Sequence, residues 1–163
     1  MKIRSFAAAI LVASLTGSAA MAADYATIVI ERPVKASVDA TWKRIGAYCA
    51  LTEWLGPPCE VSAGNGVDVG SIRSIAGGRV FEVIVAKTDH SYTYAFPNPN
   101  PTYYHGTLAA VATGLNTSKI VYTLFYDAES LGTPEKKAED REKRTKTFTG
   151  GVEKMVTLVE AAK

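Results

Sequence analysis

The candidates for acid–base chemistry are His90, His105, Glu82, Asp89 and Arg73. General acid–base catalysis needs an acid and a base tuned near the working pH and within hydrogen-bond reach of one substrate. His105, beside Tyr103 and Tyr104, is the first candidate for a catalytic role. Asp89 and His90 fall at a turn, where a polar side chain ordinarily caps backbone or meets water. Glu82 alternates with Val83 and Val85, which fits an outward salt bridge, for instance with Arg73, better than chemistry. No nucleophile triad, P-loop, H-E-x-x-H or zinc-finger spacing occurs, so neither a metal nor a cofactor is implied.

Binding chemistry is better represented. Tyr92, Tyr94 and Phe96 share one face of a strand, and Ile120, Tyr122, Leu124 and Tyr126 share one face of another. Tyrosine suits a ligand wall because it buries apolar area while its hydroxyl offers an oriented hydrogen bond. The direction of Tyr104 relative to Tyr103 and His105 stays open from the pattern alone. The candidate ligand-binding residues are Tyr92, Tyr94, Phe96, Tyr104, Tyr122, Tyr126, Gly151 and Met155. The opposing reading is a plain core, with the tyrosines and Met155 filling the interior themselves.

These side chains must be held by strands and one long helix. Thr133-Pro134-Glu135 reads as a helix start, with Thr133 as N-cap and Pro134 at the first helical position. Phe148, Val152, Met155, Val156, Val159 and Ala162 then recur at helical spacing as one apolar stripe. Gly150-Gly151 interrupts that helix, where each glycine costs about 1 kcal/mol relative to alanine. It serves close packing on the sheet, a local bend, or room for a ligand. Running the stripe backwards brings Thr145, Arg144 and Arg141 near the apolar face, either solvated beyond the sheet or placing an arginine at a cavity mouth.

Upstream, Tyr25 to Val34 alternates as a first strand stopped at Pro33, followed by a short helix carrying Val38, Trp42 and Ile45. A second helical turn, Cys49 to Leu55, ends at Gly56-Pro57-Pro58. Six strands follow: Glu60 to Ala63, Ser71 to Ala76, Arg79 to Lys87, Ser91 to Phe96, Tyr103 to Thr113 and Lys119 to Asp127. Residues 97–101, with three prolines, form a loop. The expected class is α+β: a curved antiparallel sheet of about seven strands wrapped around a long C-terminal helix, with two short helices after strand 1.

Composition bounds the setting. Met1-Lys2-Ile3-Arg4, the apolar run Phe6 to Leu15 and Ala20-Met21-Ala22 read as a cleavable secretory signal over 1–22, leaving a single domain over 23–163. The apolar run is too short to span a bilayer, so no transmembrane segment is expected in the mature chain. Losing Lys2 and Arg4 takes 18 basic residues to 16, equal to the 16 acidic ones. A neutral secreted domain is a poor partner for nucleic acid. The style of the signal suggests the bacterial periplasm. Cys49 and Cys59 form an even pair in an oxidising compartment, which invites a disulfide; buried free thiols, or a redox or metal role, are the alternatives.

Taken in order, these features carry a resemblance. Pro33, Val38, Trp42, Ile45 and Trp54 resemble the entry of the START/Bet v 1-like (SRPBCC, helix-grip) superfamily. Gly70-Ser71-Ile72-Arg73, the Gly77-Gly78 hairpin, Glu82, Asp89, Tyr92-Thr93-Tyr94 and Tyr122 to Tyr126 are similar to its polyketide cyclase/dehydrase-like branch, which often has tryptophan at the place of Tyr122. The resemblance implies a cavity between helix and sheet for a hydrophobic small molecule or lipid, with cyclase or dehydratase activity as one alternative. The signal, the size and Phe125-Tyr126, Thr145 and Phe148 also resemble the periplasmic MxaD-type subgroup. That resemblance implies an accessory role with a quinoprotein, methanol-type dehydrogenase and its cytochrome.

Overall fold

The computed structural model describes residues 24–97 and 104–162. The expected signal segment and Tyr103 lie outside the described residues. Seven strands run in chain order as β1 (Tyr25–Val34), β2 (Cys59–Ala63), β3 (Ile72–Ile75), β4 (Val80–Thr88), β5 (Ser91–Ala95), β6 (Tyr104–Gly114) and β7 (Thr117–Asp127). Helices α1 (Val38–Ile45) and α2 (Leu51–Trp54) separate β1 from β2, and α3 (Pro134–Glu160) closes the chain. This is the expected helix-grip arrangement.

All strands pair antiparallel in the order β1-β7-β6-β5-β4-β3-β2. The first two strands therefore lie at opposite edges, and α1 and α2 carry the chain from one to the other. Contrary to expectation, Pro33 does not stop β1, which pairs through to Val34 against Ser118. Proline is tolerated there because β1 is an edge strand with no second neighbour needing its missing N–H. Register shifts at Val61/Ala63, Ile84/Ala86 and Ala112/Gly114 add the bulges that bend a sheet. The β3–β4 hairpin turns through Ala76, Gly77 and Gly78, all at positive φ, a conformation that favours glycine.

Helix α3 starts as its sequence dictates: the Thr133 hydroxyl accepts from the Lys136 amide and Pro134 occupies the first turn. Its buried face carries Gly151, Val152, Met155 and Val159. Helix α1 is capped by Ser37, whose hydroxyl accepts from the Ala40 amide. A buried 2.8 Å contact between the Thr41 and Ser118 hydroxyls ties α1 to β7. The core is continuous across both layers, joining Ile28, Ile30, Leu108, Ile120 and Leu124 of the sheet to Met155 and Val159 of α3.

Candidate functional site

Between α3, α2 and the concave face of the sheet lies a cavity of about 50 Å³. Its roof is made of side chains from the helices: Leu51 and Trp54 of α2, the adjoining Leu55, and Phe148 of α3. Its floor is Arg73 and Ile75 of β3 with Glu82, Tyr94, Tyr104 and Tyr122, one from each of the strands β4 to β7. A wider groove of about 290 Å³ lies elsewhere, open at the surface between Trp42 of α1, Val67 and Tyr92. The smaller hollow is the one between the helices and the sheet, and its lining includes the buried Arg73–Glu82 pair and three tyrosines.

Three tyrosines form one hydroxyl cluster. The Tyr94 hydroxyl lies 2.5 Å from that of Tyr122 and 3.3 Å from that of Tyr104. The period-2 alternation of β5, β6 and β7 sends these residues inward from three neighbouring strands, where each is at most 7% exposed. Gly106, opposite Tyr94 in the β5–β6 register, admits the ring: a methyl group there would overlap the Tyr94 phenol. Burial pushes the Tyr94 and Tyr122 hydroxyls well above the ordinary tyrosine pKa and raises Tyr104 too. All three are neutral hydrogen-bonding groups at physiological pH.

Beside them sits a buried ion pair. Arg73 Nε donates to Glu82 Oε2 at 2.7 Å, and Arg73 Nη2 lies 2.6 Å from the same oxygen. Arg73 Nη1 donates to the Tyr48 carbonyl, and the Tyr48 hydroxyl donates to the Glu82 carbonyl at 3.0 Å. The guanidinium carbon lies 4.3 Å from the Tyr48 ring centroid and 4.7 Å from that of Tyr94, in cation–π range. Burial disfavours the charged form of Arg73, but the facing Tyr92, Glu82, Tyr94 and Tyr122 outweigh it and hold its pKa above the usual value. Burial pushes the Glu82 carboxyl up, opposed by the charge and hydrogen bond of Arg73. The expected partner of Glu82 is thus present, but the pair points inward, not outward as alternation with Val83 and Val85 suggested.

Of the residues singled out from sequence, Tyr94, Tyr104 and Tyr122 border the cavity, and Tyr104 faces inward. Tyr92 is buried one step away, with its ring 6.3 Å from that of Tyr94. Phe96 stacks on Tyr104 at 4.9 Å. Tyr126 lies under Arg144, whose guanidinium carbon is 4.5 Å from the ring centroid and whose Nε donates to Asp140. Arg144 is therefore neither fully solvated nor part of the cavity lining. Gly151 serves close packing: an added Cβ would meet Trp54 Cε3 at 3.2 Å. Met155 is fully buried in the core below.

His105 faces away from the cavity, on the outer side of β6, with its ring edge-on to Phe125 at 6.4 Å. His90 Nε2 contacts Asp39 Oδ1 at 2.6 Å, linking the β4–β5 turn to α1. Cys49 and Cys59 are joined in a disulfide. No group of three or more His, Cys, Asp or Glu side chains able to hold a metal ion occurs among the described residues. Sequence reasoning missed Gly106, Leu51, Trp54, Leu55, Ile75 and Phe148 as parts of the site. A glycine inside a strand was the available signal for Gly106.

The profile of a family described as polyketide cyclase / dehydrase and lipid transport matches residues 25–160. Curated protein sequences give no match. Solved structures give several. XoxI from Bacillus cereus is 18% identical with a TM-score of 0.67, covering 85% of this chain and 99% of its own. Zhui aromatase/cyclase from Streptomyces sp. R1128 is 12% identical with a TM-score of 0.66, covering 84% and 94%. Norcoclaurine synthase from Thalictrum flavum, in complex with dopamine and hydroxybenzaldehyde, is 20% identical with a TM-score of 0.62, covering 96% and 99%. At these identities the likenesses establish the fold.

Proposed function

The chain belongs to the polyketide cyclase / dehydrase and lipid transport family, within the START/Bet v 1-like (SRPBCC) superfamily, and on that premise we propose that it is a secreted, periplasmic protein that holds a hydrophobic small molecule or lipid between its sheet and α3. The observation that carries this reading is the composition of the cavity roof. Leu51, Trp54, Leu55 and Phe148 line the hollow on its helical side, and rotamer changes of Leu55 and Phe148, the two that are only partly buried, enlarge it without breaking a strand or helix. Ligand sites of drug-like size span about 300–1,000 Å³, so the closed form must open to accept one. Phe148 is the natural gate. It is only half-buried and stacks on Tyr122 at 5.1 Å, a place that a ligand ring or chain takes when the phenyl group swings out. The likeness to a norcoclaurine synthase complexed with small aromatic molecules supports this use of the fold. The Cys49–Cys59 disulfide supports an oxidising compartment.

Native mass spectrometry of protein recovered from the periplasm, before and after organic extraction, tests the proposal. An extra mass that extraction removes is the expected result and identifies the ligand class. A bare mass with no uptake of added lipids or aromatics would overturn it and favour the accessory role in a quinoprotein dehydrogenase system. Turnover of a bound polyketone would favour the cyclase/dehydratase alternative.

A further inference from the structure

The surface groove of about 290 Å³ takes no part in the binding function above. Its walls come from α1, the loop before β3, and strands β4 and β5. Its volume is near the lower end of small-molecule sites, about 300–1,000 Å³. The walls are held firmly. Asn65 Oδ1 accepts from the Val67 and Asp68 amides at 2.9 Å, and the Gly70 amide donates to the Ile84 carbonyl at 2.8 Å, which fastens the loop to β4. The Thr88 and Ser91 hydroxyls meet at 2.7 Å across the β4–β5 turn. The half-buried Trp42 ring packs over Gly46, where an added Cβ would overlap the indole.

Charge in this groove is one-sided. Lys87 and Asp89 are its charged lining residues. Lys87 Nζ lies 3.4 Å from Asp68 Oδ1, and hydrogen bonds from Asn65 and Lys87 hold the Asp68 carboxyl below the usual range. That pair is neutral as a whole. Asp89 is exposed and has no hydrogen-bond or ion-pair partner among the described residues. Gly46 and Ala47 bring the carbonyl end of α1 to the same groove, and its partial negative charge favours a cation. Trp42 adds an indole face, the best aromatic partner for a cation. Tyr92 already has the Arg73 guanidinium 5.8 Å from its centroid, so Trp42 is the ring left to a ligand.

We propose that this groove is a second binding site, for a small organic cation: a primary ammonium joined to a short apolar body. The ammonium sits between Asp89 and the carbonyl end of α1, and the body covers Trp42 and Val67, which is 60% exposed. An organic anion is disfavoured, because Asp68 already matches Lys87 and Asp89 repels it. A neutral molecule of the same shape keeps the apolar contact and forgoes the charge. The site is separate from the hollow under α3, and neither depends on the other.

The test is titration calorimetry of phenethylammonium, phenethyl alcohol and phenylacetate on the intact mature protein, with Asp89→Asn and Trp42→Leu as variants. Phenethylammonium should bind at least about threefold more tightly than the alcohol, the scale of one exposed charge contact with one cation–π contact. Phenylacetate should bind more weakly than both. Asp89→Asn, at an exposed turn, should bring the ammonium down to the level of the alcohol; unchanged circular dichroism and melting verify its fold. Trp42→Leu should weaken the ammonium several-fold, and should it fail to fold, the Asp89 comparison alone decides. Bound ammonium should shift the NMR signals of Trp42, Val67 and Asp89. Equal binding of ammonium and alcohol, tightest binding of phenylacetate, or a preference that survives Asp89→Asn would overturn the cation assignment. Shifts confined to Trp54, Tyr94 and Tyr122 would put the molecule in the hollow under α3 and remove the second site, while leaving the binding function intact. No uptake of the ammonium by folded protein would refute the proposal outright.

Discussion

At the scale of single residues, the Arg73–Glu82 pair dominates the interior. Each partner is at most 5% exposed, and each depends on the other for compensation of a buried charge. Arg73→Met should therefore cost about 3–5 kcal/mol, whereas Arg73→Met with Glu82→Leu should recover most of that loss, because an apolar pair of similar volume needs no compensation. Chemical denaturation of both variants decides it; a double variant as unstable as the single one would contradict the account. The tyrosines make a pH-dependent contribution of definite sign. Burial raises the folded-state pKa of Tyr92, Tyr94, Tyr104 and Tyr122 above the ordinary value near 10.0. The folded protein keeps these protons where the unfolded chain loses them. Their contribution is whole below the unfolded pKa and is lost as pH rises through the folded values, by up to about 1.4 kcal/mol per pH unit for each tyrosine. Denaturation midpoints should fall steeply above about pH 10, and Tyr122→Phe should lessen the slope by one tyrosine. Tyrosinate absorbance from these groups should appear only on unfolding; its appearance in the folded state would contradict the assignment.

At the scale of elements, the two central glycines of α3 separate helix propensity from packing. A Cβ at Gly150 meets nothing within 4 Å, whereas one at Gly151 meets Trp54 Cε3 at 3.2 Å. Gly150→Ala should stabilise by about 0.5–1 kcal/mol. Gly151→Ala should gain less, and Gly151→Val should destabilise by about 1–3 kcal/mol through overpacking; melting temperatures of the three variants check the order. The helix itself was legible because its cap, its proline and its apolar stripe all agree. The strands were legible from alternation, but the parity of β4 was not. Val83 and Val85 looked like its buried side, yet Glu82 and Ile84 point inward and Val85 is 42% exposed. Alternation reports a period, not a direction, and the usual rule of apolar inside fails where the interior holds an ion pair and the outer face carries Phe81 and Val85. Tyr104 was undecidable from sequence for the same reason. The hydroxyl cluster was legible only as separate tyrosines, since the register of β5, β6 and β7 is what brings their tips together.

At the scale of the molecule, the open sheet leaves the roof of the cavity dependent on a single covalent tie. Strands β1 and β7 share ten paired positions, while β2 at the other edge pairs over only four with β3. That weak edge is fastened by the Cys49–Cys59 bond to the segment just before α2, which supplies Leu51 and Trp54 to the cavity. The loop closed by the bond spans 10 residues, so removing it should cost about 2.5–3 kcal/mol through the entropy of the unfolded chain. The loss should not be uniform. Amides of α2, β2 and β3 should lose hydrogen-exchange protection first, because the tie holds that edge, while those of β6 and β7 should keep the protection of the global core. Replacing both cysteines by serine and measuring exchange by mass spectrometry tests this. Protection lost first in α2 and β2 means that the disulfide governs how readily the roof opens over the tyrosine cluster. A uniform loss would mean that it acts on the unfolded state alone, and that opening is left to the side chains of Leu55 and Phe148.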